Sequence, residues 1–237
     1  MTRHDLSSTD DVRKQTLSGV SVIIPAGGRG VRMGSDRPKQ YLPLAGRTVI
    51  EHTVETFLAL SPDRVVVVLA PDDDTFSSLG CASRCEIASA GRERWESVRN
   101  GIASVNPAED DWIMVHDAVR PCVNGEAVLS LYAAVAVSDV GGLLAIPAVD
   151  TVKRVDGTTV VETLDRRVLW QAQTPQLFRA GLLMRALAGA SDEVTDEASA
   201  VELLGAAPVV VEGHRYNIKI TTPEDLAIAA MILESAA

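Results

Sequence analysis

The stretch VSVIIPAGGRGVRMGSDRPKQYLPL, residues 20–44, sets the fold. It opens on a largely apolar, β-branched run without regular polar alternation, the pattern of a strand buried on both faces. The chain then turns on glycine. Gly27, Gly28, Gly30 and Gly34 are interspersed with Arg29, Arg32, Arg37 and Lys39. Glycines let backbone N–H groups approach an anion without a Cβ in the way. Arginine and lysine add forked and mobile positive charge. A cationic glycine loop at the end of a buried strand suits a polyphosphate better than it suits an ordinary surface turn.

Two familiar phosphate loops do not fit. A G-x-G-x-x-G fingerprint starting at Gly28 meets Met33 at its sixth position, and no acidic residue follows at the distance where a ribose would be held. A G-x-x-x-x-G-K-[ST] loop fails because no glycine here precedes a lysine. A nicotinamide-dependent dehydrogenase is therefore a weak reading.

Working outward, residues 64–71, 112–118, 141–148 and 208–213 repeat the buried-strand pattern. Between them, residues 48–60 place Ile50, Val54, Phe57 and Leu58 on one helical face, and residues 92–105 do the same with Trp95, Val98, Ile102 and Val105. A last helix starts at Thr222-Pro223-Glu224-Asp225, where the threonine caps, the proline fits the first turn and the acids favour the positive end of the dipole. Strands alternating with helices predict a doubly wound, mostly parallel α/β sheet. One segment departs from this. In TVKRVDGTTVVET, residues 151–163, Asp156-Gly157 lies between two β-prone runs and predicts a hairpin. A lone two-stranded hairpin is marginal in water, so this one packs either on its own domain or on a second subunit, and the favoured reading is a projecting arm, at about residues 150–170, in a dimer.

The 237 residues carry a net charge of -10, which argues against a nucleic-acid surface and makes the local basic cluster suit a small anion. No apolar run approaches the ~20 residues of a membrane span. The N-terminus lacks the apolar centre of a signal peptide, which points to a cytoplasmic protein. Residues 1–18 read as a disordered tail with little to bury, and residues 19–237 as a single domain. Cys81, Cys85 and Cys122 form no paired metal spacing with the four histidines and read as free thiols.

Seven segments in order resemble one family: PAGGRGVRMG…PKQYLPLAGRTVIEHTV, AGRERWESVRNGI, VHDAVRP, DTVKRV, LDRRVLWQAQTPQLF, TDEASAVE and YNIKITTPEDL. They are similar to the 2-C-methyl-D-erythritol 4-phosphate cytidylyltransferases, Rossmann-like nucleotidyltransferases of isoprenoid synthesis. The resemblance implies CTP and a polyol phosphate as substrates, Mg²⁺ or another divalent cation as cofactor, and a homodimer joined through the hairpin arm. It implies no nucleic-acid or membrane partner.

Residue by residue, it places the nucleotide on Ala26, Gly27, Gly28, Arg32, Lys39, Gly91, Ser97, Asp117 and Ala118. The metal falls to Asp117, and Arg32, Lys39 and Lys219 are the catalytic cations. The polyol phosphate falls to Arg120, Thr151, Arg166, Thr174, Thr195 and Lys219, with Thr151 and Arg166 on either side of the hairpin. Gly27 stands where relatives often carry alanine, and Arg92 where one branch carries an acid. His116 reads as structural and Arg94 as a solvated helix residue. Competing readings are a ribitol 5-phosphate cytidylyltransferase and a non-catalytic nucleotide-binding module. The latter would be expected to have lost Arg32, Lys39 or Asp117, and all three are present.

Overall fold

The computed structural model describes residues 16–28, 37–191 and 194–235. Arg32, the middle of the glycine loop and residues 1–15 of the expected tail lie outside the described residues. Leu17 already belongs to the core, fully buried, with its N–H donating to Leu60 O at 2.9 Å.

Seven strands form the central sheet: β1 (Val20–Pro25), β4 (Arg64–Leu69), β5 (Glu86–Ser89), β6 (Trp112–Val115), β7 (Gly141–Pro147), β10 (Trp170–Arg179) and β11 (Val209–Glu212). Their order is β11-β7-β10-β6-β1-β4-β5. All run parallel except β10, which is antiparallel to both β6 and β7. Two short pairs stand apart from this sheet: β2 (Pro43–Leu44) with β3 (Arg47–Thr48), and β8 (Lys153–Asp156) with β9 (Thr159–Thr163).

Helices α1 (Val49–Ala59), α2 (Arg94–Val105), α3 (Gly125–Val135), α4 (Ala180–Ala188), α5 (Glu197–Glu202) and α6 (Pro223–Ser235) complete the chain. Strand pleating explains how the sheet is covered. Val20, Val22 and Ile24 point to the face under α1 and α3, while Ile23, Val66 and Val68 point to the face under α2, α4 and α5. Burial of both faces is why these strands read as continuous apolar runs. Helix α6 closes a third, smaller cluster around Leu44, Val49, Val119 and Ile220.

The expected elements are present with ends shifted by a few residues. One shift has a consequence for chemistry. The run expected as strand through Ala118 leaves the sheet at Val115, so His116–Ala118 become a loop at the sheet's end. The hairpin forms with Gly157 (φ 55°) and Thr158 as its two turn residues, one position beyond the expected Asp156-Gly157 pair. All residues of β8 and β9 are exposed, including Val155, Val160 and Val161. Strand β10 is additional to the expected strands: a proline and three glutamines inside WQAQTPQLFR hide it in the sequence.

The strand order creates the site. From β1 the chain moves to β4 and β5 on one side, then crosses back through α2 to β6 on the other side of β1. The loops after β1 and β6 therefore diverge, and a crevice opens between their carboxyl ends, where open α/β sheets bind ligands.

Candidate active site

The crevice is a cleft of about 220 Å³, walled by Ala26–Gly28 after β1, Lys39, Gly91–Arg94 at the start of α2, Asp117–Val119 after β6, and Lys219. Ala26 anchors the first wall: its N–H donates to Val68 O at 2.8 Å and its carbonyl accepts from the buried Gln40 amide at 2.7 Å. The N–H groups of Gly27, Gly28, Ala118 and Val119 have no hydrogen-bond partner among the described residues. Glycine at 27 fits this wall, because a Cβ there would stand 2.5 Å from Ala90 Cβ and force one of the two loops to shift.

The second wall is a capped helix start. Ser97, at 5 % exposure, accepts from Gly91 N–H at 3.1 Å and donates to Glu93 O at 3.1 Å. Glu96 accepts from the N–H groups of Arg92 (2.7 Å) and Glu93 (3.1 Å), which holds its carboxyl below the usual range. A Cβ on Gly91 would meet Glu96 Cβ at 2.3 Å, so the turn requires glycine.

Asp117 is the electrostatic centre. Lys219 Nζ lies 2.9 Å from Oδ2, Arg94 Nε donates to Oδ1 at 3.1 Å, and Arg120 Nε is 3.5 Å from Oδ2. Burial alone would raise this carboxyl. Arg94, Lys219 and Arg120 outweigh it and hold Asp117 well below the ordinary carboxylate range. Arg94 continues into a bidentate pair with Glu197, at 2.7 and 3.2 Å. Burial opposes the Arg94 charge, but Glu197 and Asp117 more than restore it.

The reading of Arg94 as a solvated helix residue is thereby corrected. It bridges two carboxylates, one on the β6 loop and one at the start of α5. Glu197, 1 % exposed, was not singled out, although TDEASAVE held the signal. Its partner lies 103 positions away, and no spacing rule reaches that far.

Lys39 faces the same cleft and donates to Ile220 O at 3.3 Å. Among the cleft's walls, Lys39, Arg92, Arg94 and Lys219 outnumber Glu93 and Asp117 by two charges. An acidic chain thus keeps a net positive cleft, which is what an anion requires.

The remaining expected residues divide into those at the cleft and those away from it. Arg120 packs behind Asp117 and donates to Asn217 O at 2.7 Å. Thr174, 4 % exposed, lies beneath Asp117 and accepts from its N–H at 3.1 Å. Thr195 lines a neighbouring hollow with Trp95 and Glu197. Thr151 and Arg166 are exposed at the base of the β8–β9 arm, where Arg166 donates to Val149 O. No hydrogen bond joins those two to the Asp117 cluster among the described residues. His116 is fully buried, and burial pushes its imidazole down to about 3, so it is neutral here.

Such a cleft can bind a polyanion through backbone N–H groups and four cations while keeping one carboxylate ionised. Among the described residues it holds no side chain poised as a nucleophile. Among the described residues no cluster of three His, Cys, Asp or Glu could hold a metal unaided, and no helix is long and apolar enough to cross a membrane.

Known proteins resemble this chain over most of its length. The family model of 2-C-methyl-D-erythritol 4-phosphate cytidylyltransferase matches residues 20–235. The enzyme of that name from Pseudomonas fluorescens (strain SBW25) is 50 % identical over 222 residues, covering 90 % of this chain and 94 % of the relative. That from Dechloromonas aromatica (strain RCB) is 50 % identical over 224 residues, covering 90 % of this chain and 96 % of the relative. Among solved structures, a 4-diphosphocytidyl-2C-methyl-D-erythritol synthase superimposes with a TM-score of 0.79 at 40 % identity, covering 93 % of this chain and 99 % of the other. The Francisella tularensis 2-C-methyl-D-erythritol 4-phosphate cytidylyltransferase gives 0.78 at 38 % identity, covering 90 % and 99 %.

Proposed function

The chain belongs to the 2-C-methyl-D-erythritol 4-phosphate cytidylyltransferase family, and from that premise we propose that it transfers CMP from CTP to 2-C-methyl-D-erythritol 4-phosphate. The products are 4-diphosphocytidyl-2-C-methyl-D-erythritol and pyrophosphate. One observation carries the reading: Lys39, Arg94 and Lys219 line a cleft at the sheet's switch point that also holds the ionised Asp117.

The reaction is an in-line displacement. A phosphate oxygen of the acceptor attacks the α-phosphorus of CTP, the P–O–P bond to the β-phosphate breaks, and pyrophosphate leaves. Negative charge gathers on the transferring and leaving oxygens, so fixed cations and N–H donors do most of the work. Lys39 and Arg32 take the triphosphate, with the amides of Gly27 and Gly28. Gly91 and Ser97 shape the base and ribose pocket. Lys219 and Arg120 take the acceptor's phosphate side, assisted by Thr195, while Thr174, buried beneath Asp117 with its hydroxyl already paired, supports them from behind. No covalent enzyme intermediate is involved.

A divalent cation, Mg²⁺ in this reading, fits the donor set. Mg²⁺ is commonly held by one or two carboxylates plus substrate phosphates rather than by a protein cage, and Asp117 offers one ionised carboxylate in the cleft. Bound there, the ion would neutralise phosphate charge beside Asp117.

The β8–β9 arm supports a homodimer. Its valines are exposed in one chain, and a second subunit would cover them while Arg166 and Thr151 complete the partner's site. A cytoplasmic location belongs to the same proposal. Pyrophosphate release with CTP and Mg²⁺ tests it: rapid release with methylerythritol phosphate but not ribitol 5-phosphate is expected. The reverse preference would move the protein to another acceptor, and release with neither would leave a non-catalytic nucleotide binder.

A further inference from the structure

Asp117 must keep one orientation while two anionic substrates exchange around it, and its backbone is held by side chains outside the cleft. His116 lies fully buried under the loop, its ring 4.9 Å from that of Phe57. His116 Nε2 is 3.2 Å from Arg120 O, and Nδ1 is 3.1 Å from Thr174 Oγ1. That same oxygen is 3.1 Å from Asp117 N.

The proton positions follow from what each partner can do. The Arg120 carbonyl only accepts, so Nε2 carries the ring proton. The Asp117 N–H only donates, so it occupies a lone pair of Thr174 Oγ1. The threonine hydroxyl then gives its own proton to Nδ1. Arg120 N–H closes the circuit by donating to Asp117 O at 3.1 Å. Every link has one donor and one acceptor. Two further bonds pin the loop's outer carbonyls, from Thr53 to Ala118 O at 3.1 Å and from Ile220 N–H to Val119 O at 2.9 Å.

The circuit grips the loop at the two residues whose charged side chains meet, Asp117 and Arg120, at 3.5 Å. A shift at either backbone would move a carboxylate or a guanidinium relative to the substrates. We propose that His116 is a positioning residue: through the Thr174 hydroxyl and the Arg120 carbonyl it fixes the Asp117–Arg120 pair in the geometry that cytidylyl transfer uses. This rests on the transferase reading given above. The strand that supplies Thr174 also explains the circuit's origin. The register of β10 against β7 shifts between Ala172 and Gln176, and the irregularity places Thr174 under the β6 loop.

The test separates the two ring nitrogens. His116→Phe removes both bonds, whereas His116→Asn keeps an acceptor near the place of Nδ1. Both variants are compared with the wild type by calorimetric CTP·Mg²⁺ binding and by kcat per CTP-binding site. A side chain that merely helped the chain fold would lower the number of sites and leave each site normal. For a positioning residue, the Phe variant should bind CTP about tenfold more weakly and lose a further tenfold or so in kcat, with Asn, which keeps only the Thr174 link, recovering part of both. Equal values for Phe and Asn, or normal activity per site in both, would overturn the proposal. CTP binding needs no acceptor, so it reads the circuit even if the wild type transfers to neither polyol phosphate, the outcome that would sink the transferase reading instead. Should the Phe variant not fold, Thr174→Val removes only the hydroxyl and Thr174→Ser returns it. Loss in the first without recovery in the second would equally count against the circuit.

Discussion

Replacing Gly27 by alanine tests how tightly the first two walls of the cleft are fitted. A Cβ at 27 would stand 2.5 Å from Ala90 Cβ, against 3.6 Å from Ala70 N. Ordinary contact begins at 3.4 Å, so one loop must yield by about 1 Å in a close-packed wall. Overpacking of this kind costs about 1–3 kcal/mol. The displaced backbone is the one assigned to the triphosphate, and a 1 Å misplacement can cost on the order of 100-fold in rate.

Ala90→Gly removes the opposing methyl. Alone it should cost about 0.5–1 kcal/mol, the usual penalty of glycine's added freedom. The double variant Gly27→Ala/Ala90→Gly should then be more stable than the sum of the singles predicts, by about 1–2 kcal/mol. Urea unfolding gives the stabilities, and kcat/KM for CTP follows the loop. Relatives with alanine at this place would then be expected to carry a smaller neighbour at position 90. If Gly27→Ala is neutral by itself, or the two changes simply add, the fitted-wall argument is wrong.

Other consequences can be checked alongside. Lys39→Ala should lower kcat/KM for CTP by about 100-fold or more while leaving the urea midpoint close to wild type; near-normal turnover would remove Lys39 from the catalytic set. His116 should make stability fall with acid. Its folded value of about 3 lies below the ordinary 6.5, so the unfolded chain takes up a proton first. The contribution is complete above about pH 6.5 and is lost between there and about pH 3, at about 1.4 kcal/mol per pH unit. From pH 7 to 5 that is about 2 kcal/mol, which His116→Asn should abolish; an unchanged slope in that variant would contradict it. Finally, mixing inactive Lys39→Ala with inactive Arg166→Ala should restore activity, because a mixed dimer whose arms act in trans contains one intact site. No recovery after verified subunit exchange would place Arg166 in its own chain's site.

Much of the site was legible because its parts are local. The glycine loop, VHDAVRP and the lysine of YNIKITTPEDL each announce themselves within a few residues, and Asp117 and Lys219 do meet, at 2.9 Å. Strands buried on both faces gave the fold class in the same way. What stayed hidden depends on long-range pairing. Arg94 looks like any first-turn arginine until α5 brings Glu197 to it. Strand β10 was masked by its proline and glutamines. Those same polar residues are what the structure uses, since Gln173 and Gln176 tie the C-terminal segment and the start of α5 to the sheet. Thr151 and Arg166 rest on the resemblance alone, and their exposed places on the arm gain a role only under the proposed homodimer.

The central claim is that this cleft joins CMP directly to an acceptor phosphate. Phosphorus NMR of a reaction with CTP, Mg²⁺ and methylerythritol phosphate tests it most directly. The account predicts a new diphosphate diester and pyrophosphate in equal amounts, with no phosphorus bound to the protein. Release of free CMP with pyrophosphate, or a phosphorylated or cytidylylated protein, would contradict it.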